Sequence, residues 1–239
     1  MKLKLYQVDA FTSKVFAGNP AAVCILEKWL DEELMQHIAN ENNLSETAFT
    51  VPVKDCFEIR WFTPEVEVDL CGHATLATAH VLFNHLDYPS GKIDFFSPHS
   101  GNLSVEKKGK LLTLDFPADT LEEMVVPEII VTALNRPPIK AFRGKTDFMF
   151  VFASQKEIET MEPDFGLLAQ VGVRGIIVTA PGNEVDFVSR FFAPRVGVPE
   201  DPVTGSAHTS LVPYWSRRLS RQRLAARQLS RRGGELICE

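Results

Sequence analysis

Residues 60–75 read RWFTPEVEVDLCGHAT and residues 190–207 read RFFAPRVGVPEDPVTGSA, so the chain carries one pattern twice. Five identical residues recur at a single offset of 130 positions: Arg60, Phe62, Pro64, Val66 and Val68. Extra residues in the second copy then bring Gly205 opposite Gly72. Two copies are too few for a solenoid, which needs three or more. The repeat therefore predicts duplication of a whole domain and a pseudo-symmetric pair.

The predicted fold is α+β, with two pseudo-symmetric domains that each wrap a curved, mostly antiparallel sheet around one central helix. Apolar and β-branched runs predict the strands, and helical spacing of apolar residues predicts the helices. The FPADT stretch follows a strand and introduces a polar segment, so we place the domains at 1–112 and 113–239. Strands are predicted at 3–10, 21–26, 46–52, 56–63, 93–97, 101–107, 111–116, 147–152, 175–180, 185–193 and 234–238, and helices at 30–41, 73–86, 157–171 and 206–220.

Charge and composition exclude several classes of protein. The 239 residues carry a formal net charge of −6, which argues against a nucleic-acid partner. No window approaches the roughly 18 to 20 apolar residues of a membrane span, and the N-terminus MKLKLYQVDAFTS does not read as a signal peptide. The four cysteines fit neither a zinc motif nor a disulfide framework. We therefore expect a cytoplasmic protein with no nucleic-acid or membrane partner and no metal.

An arginine-rich stretch near the end is the local exception. We interpret it as a solvated helix face followed by an exposed strand. The alternative is a patch for nucleic acid or an acidic partner, although no aromatic residue between the arginines offers a base-stacking surface. The arginines are Arg217, Arg218, Arg221, Arg223, Arg227, Arg231 and Arg232.

The repeat places a glycine turn and a helix start in each copy. Gly72 precedes His73 in the first copy, and Gly205 precedes Ser206 in the second. Helix N-termini present unpaired N–H groups that bind carboxylate or phosphate. The two helix starts could therefore bind one small acid together. Alternatively, each glycine only permits a tight turn between a strand and a helix. Asp201, within EDPVTGSA, is a better candidate for a site carboxylate than its counterpart Asp69, and Ser206 is either an N-cap or a substrate contact.

A third element is NLSETAF at 43–49. Glu46 enters an apolar run there, and burial would raise its pKa toward that of a useful base near neutral pH. Surface glutamates in strands are common, so the spacing alone is a weak indication. We include the adjacent Ser45 among the candidate substrate-binding residues.

At these residues the chain resembles the PhzF-like phenazine biosynthesis family, which shares the fold of diaminopimelate epimerase. The motifs are DAF..K.F.GNPAAV at 9–23, NLSETAF at 43–49, R.FTP..EVDLCGHAT at 60–75 and EDPVTGSA at 200–207. The resemblance implies an isomerase that moves a proton on a small anionic substrate without cofactor or metal, and a homodimer. It implies that Glu46 is the catalytic glutamate, with His73 and Asp201 also catalytic. It assigns substrate binding to Ser206, to the backbone donors at Gly72 and Gly205, and to Asn19.

Two departures leave alternatives open. Thiol-based relatives use two cysteines, but the second copy offers no counterpart of Cys71, so a two-thiol racemase fails and we favour an inert packing role for Cys71. Family members continue beyond GGELICE, so the second domain is expected to lack terminal strands. An inactive binding or interaction protein on the same fold therefore stays an alternative, as does an amino-acid epimerase or racemase with a second, unidentified base.

Overall fold

The computed structural model describes residues 2–239, which form two compact units. The first unit comprises residues 2–10 and Asn19–Phe116, and the second comprises Phe11–Gly18 and Pro117–Glu239. The first unit extends to Phe116 rather than to the predicted boundary at 112, which would have cut through its last strand. The short segment Phe11–Gly18 belongs to the second unit, although it lies between two strands of the first in the chain, and no sequence pattern predicted this.

The first unit is an eight-stranded sheet with two helices. Its helices are α1 (Glu32–Asn42) and α2 (Gly72–His85). Its strands are β1 (Tyr6–Ala10), β2 (Asn19–Ile25), β3 (Glu46–Val53), β4 (Cys56–Phe62), β5 (Glu67–Val68), β6 (Lys92–Ser97), β7 (Gly101–Lys108) and β8 (Leu111–Leu114). The main path runs β1-β2-β3-β4-β6-β7-β8, with β5 paired to β4. Only the β2–β3 and β4–β6 pairs are parallel, so the sheet is mostly antiparallel as predicted.

This sheet curls around α2. The helix contacts β1 and β2 near one edge and β7 and β8 at the other. Small residues of α2, among them Ala74 and Ala77, are fully buried, which lets the helix lie close to the strands. The opposite face of the sheet packs against α1. Because both faces are covered, β2 is buried at successive positions, with Val23 facing α2 and Cys24 facing α1.

The second unit repeats this topology. Its sheet runs β15-β14-β13-β12-β11-β10-β9. From β10 to β15 the pairs are antiparallel, parallel, antiparallel, parallel and antiparallel, the same succession as from β1 to β7 along the first sheet. The strands are β9 (Glu122–Glu123), β10 (Lys140–Arg143), β11 (Asp147–Val151), β12 (Gly175–Pro181), β13 (Phe187–Phe192), β14 (Leu224–Gln228) and β15 (Gly234–Cys238). The helices are α3 (Glu128–Leu134), α4 (Gln155–Glu159), α5 (Phe165–Leu168) and α6 (Gly205–Leu219).

The central helix of the second unit is α6. Leu211 and Trp215 are fully buried against one face of the sheet. The Trp215 indole stacks on Phe187 at 5.7 Å and donates a 2.9 Å hydrogen bond to the Thr179 hydroxyl. Residues of α3, α4 and α5 cover the opposite face. The duplicated α+β architecture predicted from the repeat is therefore confirmed.

Some local predictions were wrong. The helix expected at 157–171 is two short helices, α4 and α5, because Pro163 between them lacks an N–H and restricts the residue before it. The strand expected to be exposed beyond α6 is β14, which lies between β13 and β15 and buries alternate residues. Among residues 2–239, no helix is long and apolar enough to cross a bilayer.

Candidate active site

In the first unit, Glu46 and His73 meet where β3 and α2 begin. Glu46 is the first residue of β3, and His73 is the second residue of α2. Their side chains approach to 3.3 Å between Glu46 Oε2 and His73 Nε2. The Glu46 side chain is 18% exposed and that of His73 is 7% exposed, so solvent reaches the pair mainly beside the carboxyl group.

The His73 imidazole is neutral at neutral pH. Burial lowers the His73 pKa from 6.5 to about 4, and a hydrogen bond to the Pro20 backbone opposes this only in part. The 3.3 Å contact therefore joins a neutral ring to a carboxyl group and is not a permanent ion pair. A carboxyl group beside a neutral imidazole can accept or release one proton while the ring keeps its position.

Cys71 also belongs to this cluster. Its Sγ lies 3.4 Å from His73 Nδ1, and the residue is 6% exposed as part of the apolar core. One ligand-type atom each from Glu46, Cys71 and His73 lies within 4.8 Å of the others. The packing role expected for Cys71 agrees with its burial, but its contact with His73 was not anticipated. Residue order gave no indication that all three side chains would meet.

The remaining candidates in the first unit are Asn19, Ser45 and Gly72, which differ in burial. Asn19 begins β2, which runs parallel to β3, and is fully buried; Ser45 directly precedes β3 and is half-buried. Gly72 opens α2, and a Cβ there would lie 3.0 Å from the Phe116 ring. The close approach of that ring therefore favours glycine at this position. Asp69 is exposed and lies outside the cluster.

In the second unit, a buried hydrogen-bond network holds Asp201 at the start of α6. The Thr204 hydroxyl donates to the Asp201 carboxylate. Gln228, on β14, is fully buried and donates to the Asp201 carbonyl at 2.9 Å and to the Thr204 hydroxyl at 3.2 Å. Its own oxygen accepts from the Thr204 N–H at 2.9 Å. Because the Thr204 oxygen receives the Gln228 proton, its single hydroxyl proton is directed at Asp201.

Ser206, the second residue of α6, is held by Arg174. The Arg174 guanidinium donates to Ser206 Oγ at 3.1 Å. It is itself fixed by a two-point ion pair with the buried Asp147 and lies over the Phe191 ring. Neither Arg174 nor Gln228 was a sequence candidate, because neither lies within a repeated or motif segment.

Gly205 mirrors Gly72. It opens α6 as Gly72 opens α2, and a Cβ on it would lie 3.3 Å from the Phe11 ring. Each glycine turn is thus covered by an aromatic ring of its own unit. Phe11 has a φ of 60°, an unusual backbone conformation for a bulky residue.

The arginine-rich stretch is largely occupied within the second unit. Arg221 pairs with Asp186 at 2.7 Å, and Arg227 pairs with two glutamates. Arg232 donates to the backbone carbonyls of Gly18 and Ala17, and so anchors the segment that precedes Asn19. These contacts favour the structural interpretation of the stretch. The absence of a nucleic-acid partner stays a prediction.

Two sheets that each curl around a helix opened by glycine define a protein of the diaminopimelate epimerase-like fold. A solved Pseudomonas aeruginosa structure described as a predicted epimerase shares this fold, with a TM-score of 0.73 at 20% identity, over 99% of this chain and 91% of the other. The chain belongs to the PhzC-PhzF family of phenazine biosynthesis-like proteins, whose family model matches residues 8–238. The family inferred from the motifs is thus confirmed.

Two relatives are much more similar. An uncharacterized isomerase of Pseudomonas aeruginosa is 52% identical over 238 residues, which cover 100% of this chain and 91% of the relative. A solved PhzF-family structure from Enterococcus faecalis has a TM-score of 0.97 and 50% identity, covering 100% of this chain and 92% of the other. Identity of about half over full length to curated isomerases establishes that the protein is an isomerase. The alternative of an inactive interaction protein is therefore not retained.

Proposed function

We propose that this isomerase moves a proton on a small carboxylate-bearing substrate, with Glu46 as the acid/base group and without a cofactor. The observation that carries the proposal is the 3.3 Å contact between Glu46 Oε2 and the buried, neutral His73 ring at the start of α2. The pair combines a carboxyl group that solvent can reach with a buried imidazole that does not neutralise the charge of that carboxyl group. General acid/base catalysis of this kind typically contributes about 10²- to 10⁴-fold.

In the proposed mechanism, Glu46 removes a proton from a substrate carbon and returns it to another atom of the same substrate. His73 orients the reacting part of the substrate and fixes the carboxyl group. The N–H groups at Gly72 bind the substrate carboxylate, since a helix start favours negative charge. Asn19 and Ser45 supply further polar contacts.

We also propose that the second helix start binds substrate, as the repeat suggests. Asp201 orients the substrate, and Ser206 and the Gly205 backbone donate hydrogen bonds to it. The directions of the hydrogen bonds at Asp201 and at Ser206 support this assignment. Thr204 and Gln228 fix Asp201. The Arg174 guanidinium donates a hydrogen bond to Ser206 Oγ, which leaves the Ser206 hydroxyl proton available for a ligand.

The test is proton exchange in deuterated water with cyclic and amino-acid-like carboxylic acids. The expected result is incorporation of deuterium together with isomerisation in the wild type, loss of both in Glu46→Gln, and partial recovery in Glu46→Asp. Glu65→Gln is the matched control, because Glu65 is an exposed carboxylate of the same unit. Equal exchange in wild type and Glu46→Gln would exclude Glu46 as the acid/base group.

Epimerisation of an amino acid is the second candidate. The observation that favours it is the Cys71 thiol, 3.4 Å from His73 Nδ1, which could serve as a second proton donor. Chiral analysis of the product separates the two reactions, because only epimerisation inverts a stereocentre while leaving the bonding pattern unchanged. A Cys71→Ser variant with full inverting activity would exclude the thiol.

We further propose that the protein acts in the cytoplasm as a homodimer. Support for the reducing compartment is that the spacing of the four cysteines matches no disulfide framework. The dimer rests on the family resemblance, and light scattering of the purified protein tests it, a monomeric mass being the contrary result.

A further inference from the structure

In each unit, an arginine binds a glutamate that lies just before the glycine turn. On β4, the Arg60 guanidinium binds the Glu67 carboxylate at two points, one of them 2.6 Å from Nε to Oε1. On β13, Arg190 binds Glu200 in the same way, at 2.7 and 3.0 Å. The four side chains are between 11% and 20% exposed. Two-point ion pairs that are shielded from water are stronger and more directional than exposed ones.

The two ion pairs share one spacing and differ in another. Glu67 lies five residues before Gly72, and Glu200 lies five residues before Gly205. From arginine to glutamate, however, the separation is 7 residues in the first copy and 10 in the second. The extra residues of the second copy therefore fall inside the loop that the ion pair closes. The glutamate keeps its place relative to the helix start and not relative to the arginine.

Each arginine is also held by the helix layer on the face of the sheet opposite the central helix. Arg60 donates to Glu32, in the first turn of α1, at 2.7 Å. Arg190 donates to the carbonyls of Ile158 and Met161, at the end of α4, at 3.1 and 2.7 Å. Both guanidinium groups lie over a phenylalanine ring of their own strand, at 5.2 and 5.0 Å. Each glutamate therefore has a partner whose position is fixed from several sides.

In the second unit, Glu200 directly precedes the candidate site residue Asp201. The Asp201 N–H donates to the carbonyl of Phe191 at 3.1 Å, and Phe191 follows Arg190 on β13. A side-chain ion pair and a backbone hydrogen bond therefore join two successive residues of the loop to two successive residues of the strand. Together these contacts restrict both the position and the direction of the Asp201 backbone.

We propose that Arg60 and Arg190 are positioning residues, each of which fixes the start of the central helix in its own unit through the glutamate that it binds. Arg190 thereby fixes Asp201, and Arg60 fixes the turn that carries His73. Both arginines act through the backbone and not by contact with substrate. The effect on turnover rests on the proposed function, whereas the effect on backbone hydrogen exchange does not.

The test is amide hydrogen exchange of the full-length protein, followed by NMR. In Arg190→Lys the positive charge is kept, but a lysine cannot bind Glu200 at two points. The N–H groups of Asp201 and Thr204 are hydrogen-bonded in the wild type and should exchange about tenfold faster in the variant. Ile130→Ala is the matched control, since it removes buried volume from the same unit within α3, and it should not produce this local increase.

Arg60→Lys is the independent test in the first unit. The Thr75 N–H donates to the Cys71 carbonyl at 3.1 Å, across the glycine turn. This N–H should exchange faster in Arg60→Lys, because the loop that leads to the turn loses its two-point contact with β4. Unchanged exchange at Thr75 would contradict the role of Arg60.

Steady-state kinetics adds a measurement that a purely structural role would not alter. Arg190→Lys should lower kcat by about tenfold or more and change KM by less than about threefold, because a displaced Asp201 impairs the reacting geometry more than binding. Glu200→Asp keeps the charge and should retain more activity than Glu200→Gln. Arg143→Lys is the control and should keep the wild-type kcat, since Arg143 is exposed but also lies over a ring, at 5.1 Å.

The proposal is overturned if exchange at Asp201 and Thr204 rises no more in Arg190→Lys than in Ile130→Ala. If Arg190→Lys does not fold, Glu200→Gln replaces it in the same comparison, because it removes the ion pair and leaves the contacts of Arg190 with the α4 backbone. Faster local exchange with an unchanged kcat would refute the role in turnover. Failure of the proposed function is distinguishable, because it would leave the exchange results as expected while Asp201→Asn kept full activity.

Discussion

The hydroxyl of Ser206 accepts a 3.1 Å hydrogen bond from the guanidinium of Arg174. Because Asp147 is 4% exposed and holds that guanidinium at two points, the position of Ser206 depends on a carboxylate that no substrate needs to touch. Two residues outside every motif therefore set the direction in which a motif residue donates its proton.

The first prediction is that Arg174→Lys lowers kcat/KM by about tenfold, or about 1.4 kcal/mol, with most of the change in KM. A lysine cannot pair with Asp147 at two points and still reach Ser206. Steady-state kinetics on the substrate identified by exchange checks this, with the exposed Arg195→Lys as the control. An unchanged KM in Arg174→Lys would show that Ser206 orientation does not depend on the guanidinium.

The second prediction concerns Gln228. Replacement by leucine leaves the Thr204 N–H and the Asp201 carbonyl without their buried partner, and should destabilise the fold by about 2 to 4 kcal/mol. Urea unfolding measures the loss. Gln222→Leu makes the same change at an exposed position and should cost far less. Equal stability of the two variants would contradict the role of the network.

The third prediction tests the covered glycine turns. Gly72→Ala brings a Cβ to 3.0 Å from the Phe116 ring, so we expect destabilisation of about 1 to 3 kcal/mol and reduced activity. Removing the ring edge in Gly72→Ala/Phe116→Leu should recover part of the stability. Gly91→Ala, whose Cβ would meet nothing within 4 Å, is the control. Equal thermal stability of Gly72→Ala and Gly91→Ala would disprove the steric argument.

The fourth prediction is a loss of stability in mild acid from His208. Burial lowers its pKa from 6.5 to about 4, opposed by its hydrogen bond with the Thr204 backbone. The folded protein therefore binds fewer protons than the unfolded chain between these values. Neutral His208 makes its full contribution to the free energy of unfolding above about pH 6.5. This contribution falls as the pH decreases, by about 2 kcal/mol at pH 5.

Urea unfolding at pH 7.5 and pH 5 checks this difference. The wild type should lose more stability on acidification than His208→Asn, whose amide can keep the contact with Thr204. His37→Asn, at an exposed position, should retain the wild-type pH dependence. The quantity to compare is the change between the two pH values, since the substitution of a buried residue also alters stability at both. Identical changes in wild type and His208→Asn would be the contrary result.

The long elements of the fold were predictable because their pattern is strong. The helices expected at 73–86 and 206–220 are α2 and α6 within one residue at each end, since each begins at a glycine turn and continues as an apolar helix. Short elements such as α3 and β10 were missed, because four to seven residues carry too little periodicity. Residue composition likewise did not predict that Phe11–Gly18 belongs to the second unit.

By itself, the sequence determined the duplication, the α+β class, the family and the candidates Glu46 and His73, because these rest on residue type and order along the chain. Only the tertiary structure decided that Cys71 joins that pair and that Gln228 and Arg174 orient the second helix start. Such contacts depend on strand register and helix packing, which bring together side chains that no local pattern relates.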